Sequence, residues 1–230
     1  PNKRIAQLYV ENPAMIAYWR SVGNSMNDFL YESFLDELAD KGGKDPYELR
    51  LTLLKDNARL TTLLKATADL SGGWKRGPFT AADGTRRARG IGMASPFGSH
   101  AAAIAEVSIQ GGEVVVHDVW EAIDPGSIVN PAIIDAQVKS AAALGVSQIL
   151  LEEAIYEKGE PIARNYDLYP ILPPSRMPRV HVRIVESGKK MGGIGEPGLP
   201  AVPAPVPNAV SALTGQRIRS MPLTHYTFDS

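Results

Sequence analysis

The sequence contains no cysteine, and this absence excludes several kinds of site at once. None of the 230 residues can supply a thiolate, a disulfide or an iron–sulfur ligand. The lack of cysteine is compatible with both the cytoplasm and the periplasm. No apolar run approaches the roughly 18 to 20 residues that a membrane-spanning helix needs.

The net charge is close to zero, and histidines are few. The net charge of -1 gives no electrostatic reason to expect nucleic acid or an anionic membrane as a partner. The four histidines are scattered without the spacing of a zinc site, and the sequence has no P-loop or dinucleotide-binding glycine motif. A serine nucleophile also lacks its local elbow motif. The chain opens on Pro1 rather than methionine, so we expect a processed protein or a piece of a longer polypeptide.

What is present is ordinary for a globular protein, with 44% hydrophobic and 21% charged residues. Periodicity and cap residues predict helices over 26–40, from Asp45-Pro46 onward, over 58–70, from Asn130 to about 144, over 146–154 and over 208–213. Alternation and turn residues predict strands over 4–10, 89–95, 102–110, 113–123, 181–186 and 217–223, with a short hairpin over 156–162. Gly111-Gly112 predicts a hairpin turn, and Gly215 a helix end.

This order of elements favours an α+β fold with mixed sheets and flanking helices. We expect a helical part over residues 1–75 and a strand-rich part over residues 76–230. The five prolines between positions 197 and 207 are typical of a linker, but apolar residues flank them, so we predict a rigid, ordered connection.

The most informative segment runs from Gly192 to Gly198 and sets one carboxylate, Glu196, among four glycines, with Pro197 directly after it. Glycine lets another group come close to the backbone, and proline stiffens the chain. The loop is either a surface turn between a strand and a helix or the mount of a base that reaches a bulky cofactor and substrate.

Several separated segments together resemble a known family. They are Trp19-Arg20-Ser21-Val22-Gly23, 34–38, Ser95-Pro96-Phe97-Gly98-Ser99, Val129-Asn130-Pro131 with Gln137, the Glu196 loop, and 214–219. In this order the chain resembles the C-terminal part of the molybdopterin-binding subunit of the molybdenum hydroxylases, the xanthine dehydrogenase and aldehyde oxidase superfamily. It is most similar to the isoquinoline 1-oxidoreductase β-subunit type.

The resemblance implies roles for individual residues. Glu196 matches the family's active-site glutamate, a base that takes a proton while oxygen is transferred to an electron-poor carbon. The residues that match cofactor-binding positions, none of them a direct metal ligand, are Gln137, Trp19, Arg20, Gly193, Gly195, Phe97 and Gly98.

The implied cofactor is molybdenum-molybdopterin, in a cytosine dinucleotide form, with [2Fe-2S] clusters on a partner subunit. The implied partners are the N-terminal portion of the same subunit, a small [2Fe-2S] subunit, a cytochrome c acceptor and a small-molecule substrate, without nucleic acid. The implied location is the periplasm or the periplasmic face of the inner membrane, with the cytoplasm as the alternative.

The resemblance implies the hydroxylation of an aromatic N-heterocycle with water as the oxygen source. Oxidation of an aldehyde with the same cofactor is the first alternative, and a cofactor-free structural subunit is the second. The sequence departs from the family at Val138-Lys139-Ser140, where an acidic residue and glycine are usual. Lys139 faces solvent or pairs with a cofactor phosphate. Pro96 replaces a serine, Asp124-Pro125-Gly126 replaces Asp-Cys-Gly, and the family's Gly-Gln loop belongs to a preceding segment.

Overall fold

A computed structural model describes Arg4, Ala6, residues 8–11 and residues 16–229. The strand predicted over 4–10 lies partly outside the described residues, and residues 8–10 are not in a strand. Leu8, Tyr9 and Val10 are exposed.

The centre of the fold is a five-stranded mixed sheet in the order β1-β2-β3-β4-β7. Its strands are β1 (Phe79–Thr80), β2 (Arg86–Ala94), β3 (His100–Gln110), β4 (Glu113–Asp124) and β7 (Arg179–Ile184). Neighbouring strands are antiparallel except β4 and β7, which run parallel. A separate hairpin pairs β5 (Tyr156–Glu157) with β6 (Glu160–Pro161), as predicted.

Five α-helices flank the sheet within the described part of the chain. They are α1 (Asn24–Lys41), α2 (Pro46–Leu53), α3 (Ala58–Leu70), α4 (Pro131–Leu150) and α5 (Pro205–Thr214). Short 3-10 turns cover Tyr166–Leu168, Pro174–Arg176 and Leu223–His225. A mixed sheet with flanking helices confirms the α+β fold class. None of the helices in this described part combines the length and the apolarity that crossing a bilayer requires.

The helices cover both faces of the sheet. Alternate residues of β3 and β4, such as Ala103 and Val119, form one core with α4 and α5. The intervening residues, such as Ile104 and Trp120, form a second core with α3. Gly90 of β2 allows α5 to pack closely, because a Cβ atom there would lie 2.0 Å from the carbonyl oxygen of Pro205. The sheet is therefore a buried middle layer.

The predicted cap residues begin and end the helices. The side chain of Asp45 accepts hydrogen bonds from the amides of Tyr47 and Glu48, and Asn130 does the same at the start of α4. Gly215 ends α5 in the left-handed region with φ 77°. All residues from 197 to 210 are buried, so the proline-rich segment is an ordered part of the core, as predicted.

Besides the strand predicted over 4–10, two predicted elements are wrong. Residues 146–154 do not form a second helix, because α4 continues unbroken to Leu150 and Gly145 packs closely against Val202 instead of ending it. Residues 217–223 do not form a strand. Arg217 binds Asp36 of α1, Arg219 binds Glu37, and these ion pairs hold the segment without a ladder of backbone bonds.

Candidate functional site

Three connections meet at one edge of the central sheet. The parallel strands β4 and β7 both end at this edge, and the link from β2 to β3 lies beside them. The amide of Gly192, in the loop after β7, donates to the carbonyl of Pro125 at 2.8 Å. The amide of Gly193 donates to the carbonyl of Phe97 at 2.9 Å. Two of the segments quoted for the family resemblance, residues 95–99 and the Glu196 loop, therefore meet here.

Arg20 ties the N-terminal segment and α4 to the Glu196 loop. Its Nε atom donates to the carbonyl of Gly195 at 2.8 Å. One terminal nitrogen donates to Oε1 of Gln137 at 2.9 Å, and the other donates to Oγ of Ser140 at 3.0 Å. These residues are more than 100 positions from Arg20 in the sequence, so one guanidinium joins three remote segments.

The acceptors of Arg20 are all uncharged. Burial lowers the pKa of the Arg20 guanidinium, while the nearby carboxyl groups of Glu196 and Glu121 act in the opposite direction. A guanidinium bound to carbonyl, amide and hydroxyl oxygens keeps its positive charge available to the carboxyl groups around it. The site therefore holds a fixed cation close to the predicted base.

Glu196 is half-buried, and its backbone is fixed from two directions. Oγ of Ser21 donates to its carbonyl oxygen at 2.8 Å, and Pro197 restricts the chain after it. Ser21 itself is fully buried. A base must sit within hydrogen-bond reach of its proton donor, and this loop holds the backbone of Glu196 in one place.

The backbone beside the loop is strained. Among the described residues, four that are not glycine have a positive φ, and three of them lie in the segments that pack against the loop. These three are Ser21 with φ 73°, Val22 with φ 53° and Phe97 with φ 56°. Such conformations cost about 1–3 kcal/mol each and are typical of ligand-binding sites.

A second contact joins Phe97 and Gly98 to the glycine loop. A Cβ atom on Gly192 would lie 2.5 Å from the carbonyl carbon of Gly98, so only glycine fits there. Ser99 donates to the carbonyl of Gly193. The adjoining cleft, of ≈ 570 Å³, is lined by Arg59, Phe97, Gly98, Lys189, Lys190, Met191 and Gly192. Three of these lining residues, Arg59, Lys189 and Lys190, are basic.

The turn at Asp124 anchors this edge. Its fully buried carboxylate accepts hydrogen bonds from Arg59 at 2.5 and 2.9 Å, the Gly126 amide at 2.8 Å and Ser187 at 2.8 Å. Burial raises the pKa of Asp124, but these hydrogen bonds outweigh it and hold the pKa below its ordinary value. The turn therefore supports the loop that carries Glu196.

The residues predicted to bind a cofactor are not all in one cavity. Gln137 and Gly195 meet at Arg20. Phe97 and Gly98 line the charged cleft, and Gly193 donates a hydrogen bond to Phe97. Trp19 lines a separate, largely apolar groove of ≈ 820 Å³, together with Met26 and Phe29 of α1. The glycine loop borders both contact regions.

Four contributors to this edge were not among the predicted site residues: Ser21, Ser140 and Asp124, which lie in segments that the sequence analysis quotes, and Glu121, which it does not mention. Ser140 has a readable signal, since it lies three residues after Gln137 and shares its helix face. Glu121 lies on β4, fully buried against Gly198 of the loop. Lys139, where the sequence departs from the family pattern, is exposed and pairs with Asp135 one turn earlier at 2.8 Å.

Comparison with known proteins places this geometry in context. The model of a family described as molybdopterin cofactor-binding domain matches residues 48–178. The β subunit of isoquinoline 1-oxidoreductase from Brevundimonas diminuta is 32% identical over 97% of the chain, which spans 28% of that protein. A nicotinate dehydrogenase subunit from Pseudomonas putida is 33% identical over 92% of the chain, which spans 19% of it.

A solved structure shares the fold. The aldehyde oxidoreductase from Desulfovibrio desulfuricans superposes on 89% of the chain with a TM-score of 0.67 and 15% sequence identity, and the chain covers 40% of it. At this identity the likeness is one of fold. The chain spans less than a third of the length of each of the two curated relatives, so it corresponds to one part of those proteins.

Proposed function

This chain belongs to the molybdopterin cofactor-binding domain family of the molybdenum hydroxylases, and we propose that it is part of a catalytic subunit that hydroxylates an aromatic N-heterocycle. Water is the proposed source of the oxygen. The chemistry named for the two curated relatives supports this substrate class, because isoquinoline and nicotinate are both aromatic rings that contain nitrogen.

The observation that carries the proposal is the convergence at Arg20. One side chain binds the carbonyl of Gly195 and the side chains of Gln137 and Ser140. The neighbouring Ser21 binds the carbonyl of Glu196. A catalytic carboxylate must be held in place by a second set of contacts, and this arrangement provides them.

The local structure fits a bulky, polar cofactor. A Cβ atom on Gly195 would meet no heavy atom within 4 Å, so the backbone there is open to a large neighbouring group. The carbonyl of Gly195 is fixed by Arg20, which keeps this open stretch from collapsing. Lys189 and Lys190 add positive charge at the adjoining cleft, which suits the phosphate of a dinucleotide form.

In this proposal, Gln137, Gly193 and Gly195 hold the cofactor, with Trp19, Arg20, Phe97 and Gly98 around it. When bound, the molybdenum cofactor supplies the two-electron redox chemistry. Glu196 supplies the base: its carboxylate takes up the proton released as the oxygen of water is added to the substrate. Arg20 keeps the loop in position and places a positive charge near this carboxylate.

Metal analysis and steady-state assays of the full-length enzyme test the proposal. We expect molybdenum near one atom per catalytic subunit, and turnover of quinoline-, pyridine- or purine-type rings with an artificial electron acceptor. Turnover of small aldehydes alone would replace the heterocycle by an aldehyde and leave the role of Glu196 intact. A complex without molybdenum would favour a structural subunit.

The proposed partners are the remainder of the catalytic subunit and a small [2Fe-2S] subunit, since the chain has no cysteine to ligate a cluster. The exposed apolar side chains Leu30, Phe34 and Leu38 of α1 offer a surface for such a contact. A cytochrome c is the proposed acceptor and the periplasm the proposed location. Cell fractionation that finds the complex in the cytoplasm would contradict the location.

Replacing Gly195 by alanine separates cofactor binding from folding. The new methyl group meets no atom of the described chain within 4 Å, so we expect the Gly195→Ala enzyme to melt like the wild type. The methyl group projects into the space assigned to the cofactor, so we expect molybdenum content to fall severalfold. Metal analysis beside a thermal melt gives both values.

Gly192→Ala is the matched comparison in the same loop. Its methyl group would lie 2.5 Å from the carbonyl carbon of Gly98, so this variant should melt at a lower temperature. Wild-type molybdenum content in Gly195→Ala would show that the cofactor does not approach this glycine.

A further inference from the structure

Glu121 is a buried acid with no hydrogen-bond partner. Its exposure is 0%, and neither carboxyl oxygen has a partner among the described residues. It lies in the C-terminal part of β4, between Ala103 of β3 and Val182 of β7. The contrast with Glu106 is sharp, because that buried carboxylate binds Arg87 at 2.9 Å and Arg89 at 2.8 Å.

The side chain of Glu121 reaches the loop that carries the proposed base. A Cβ atom on Gly198 would lie 2.8 Å from Oε1 of Glu121 and 3.2 Å from the Cβ atom of Ala141 on α4. Glu121 therefore occupies the space where any larger residue at position 198 would place its side chain. The C-terminal end of the Glu196 loop rests on this carboxyl group.

The charge state of Glu121 follows from these surroundings. Burial without hydrogen bonds strongly disfavours a carboxylate and raises the pKa of Glu121 well above its ordinary value. Among the described residues, Arg20 is the charged group whose field acts on Glu121 and lowers its pKa in part. The guanidinium makes its hydrogen bonds to Gly195, Gln137 and Ser140 instead.

We propose that Glu121 is a positioning residue, an uncharged carboxylic acid that packs against Gly198 and fixes the position of the Glu196 loop. Because Glu121 is uncharged, Glu196 is the carboxylate on which the positive charge of Arg20 acts. An ionised Glu121 would compete with Glu196 for the one cation that acts on both. The part that concerns Glu196 rests on the proposed function; the charge state of Glu121 does not.

Thermal melts of the full-length enzyme from pH 5 to pH 8 test the charge state. An acid whose pKa is raised by folding stabilises the folded chain at low pH, and this contribution is lost as the pH rises towards the folded pKa. The amide in Glu121→Gln stays neutral throughout. Above the pKa that Glu121 has in the unfolded chain, the wild type loses this contribution and the variant does not. We therefore expect the folding equilibrium constant of Glu121→Gln, relative to that of the wild type, to rise about tenfold per pH unit.

Glu106→Gln is the matched control. It leaves Arg87 and Arg89 without their buried carboxylate, so its melting temperature should fall at every pH. A difference between Glu121→Gln and wild type that stays constant over the series, or that widens in favour of wild type, would overturn the uncharged state.

The pH profile of kcat/KM tests the link to Glu196. A neutral Glu121 contributes no field, so Glu121→Gln should leave the acid limb of the profile where it is. Movement of that limb to lower pH would show that Glu121 carries a charge that acts on the base, and would overturn the proposal.

A double variant tests the contact itself. Gly198→Ala should lower kcat because its methyl group collides with Glu121. Glu121→Ala in the same enzyme removes the collision and should restore part of kcat. A double variant no more active than Gly198→Ala would contradict the seating role. If Glu196 is not the base, the kcat and kcat/KM measurements no longer test the role of Glu121. The thermal melts from pH 5 to pH 8 still determine its charge state.

Discussion

Glu196→Gln is expected to lower kcat by about 10² to 10⁴-fold or more while the enzyme retains its fold and its molybdenum. The amide has nearly the shape of the carboxylate but cannot accept a proton. The backbone contacts of Glu196 do not involve its side chain, because Ser21 binds its carbonyl oxygen. The variant therefore removes the proposed chemistry and leaves the position of the loop unchanged. Single-turnover kinetics with a heterocyclic substrate give the rate of the chemical step.

Glu186→Gln is the control for this variant. Glu186 is an exposed carboxylate that follows β7 at the start of the same connection, so its loss should leave kcat near the wild-type value. If a fully metallated Glu196→Gln enzyme turned over at the wild-type rate, Glu196 would be removed from the mechanism. A loss of molybdenum in this variant would instead assign Glu196 to cofactor binding.

The elements that the sequence predicts well are those with local causes. Helix α3 has the predicted bounds, and Asp45 and Asn130 cap the two helices for which they were named. The hairpin at Gly111-Gly112 connects β3 to β4 as expected. In each case the residues that determine the conformation lie within a few positions of it, so the signal is complete in the sequence.

The wrong elements have causes that lie far away in the sequence. Residues 217–223 have the alternation of a strand, but Arg217 and Arg219 bind acids of α1 about 180 positions earlier. Gly145 has the sequence signal of a helix end and instead lets α4 pack closely against Val202. Tertiary contacts determine both outcomes, and a local pattern does not contain them.

The residues of the candidate site also divide into those with a local sequence signal and those without one. The glycine loop and the segment around Arg20 can be picked out by their residues, but the bond from Arg20 to Gly195 spans 175 positions and has no local signal. Glu121 is harder still. Because β4 is covered on both faces, alternation along the strand does not distinguish a buried acid from an exposed one.

Arg20→Lys is the second variant with a large expected effect. Lysine keeps the positive charge, but its single ammonium group cannot donate to Gly195, Gln137 and Ser140 in the fixed geometry of a guanidinium. The Glu196 loop should then lose its link to α4 and to the N-terminal segment. A misplacement of about 1 Å in a catalytic group costs on the order of 10²-fold in rate, so we expect kcat to fall by about that factor.

A comparison of Arg20→Lys with Arg20→Met shows whether Arg20 acts by position or by charge. If the hydrogen bonds matter, Arg20→Lys and Arg20→Met should lose similar activity, because both lack the planar fork. If the charge alone matters, Arg20→Lys should stay close to wild type and only Arg20→Met should fail. Arg164→Lys, at an exposed ion pair with Glu160, controls for the exchange itself and should leave kcat unchanged. Wild-type kcat in Arg20→Lys, with full molybdenum content, would show that the convergence at Arg20 does not position Glu196.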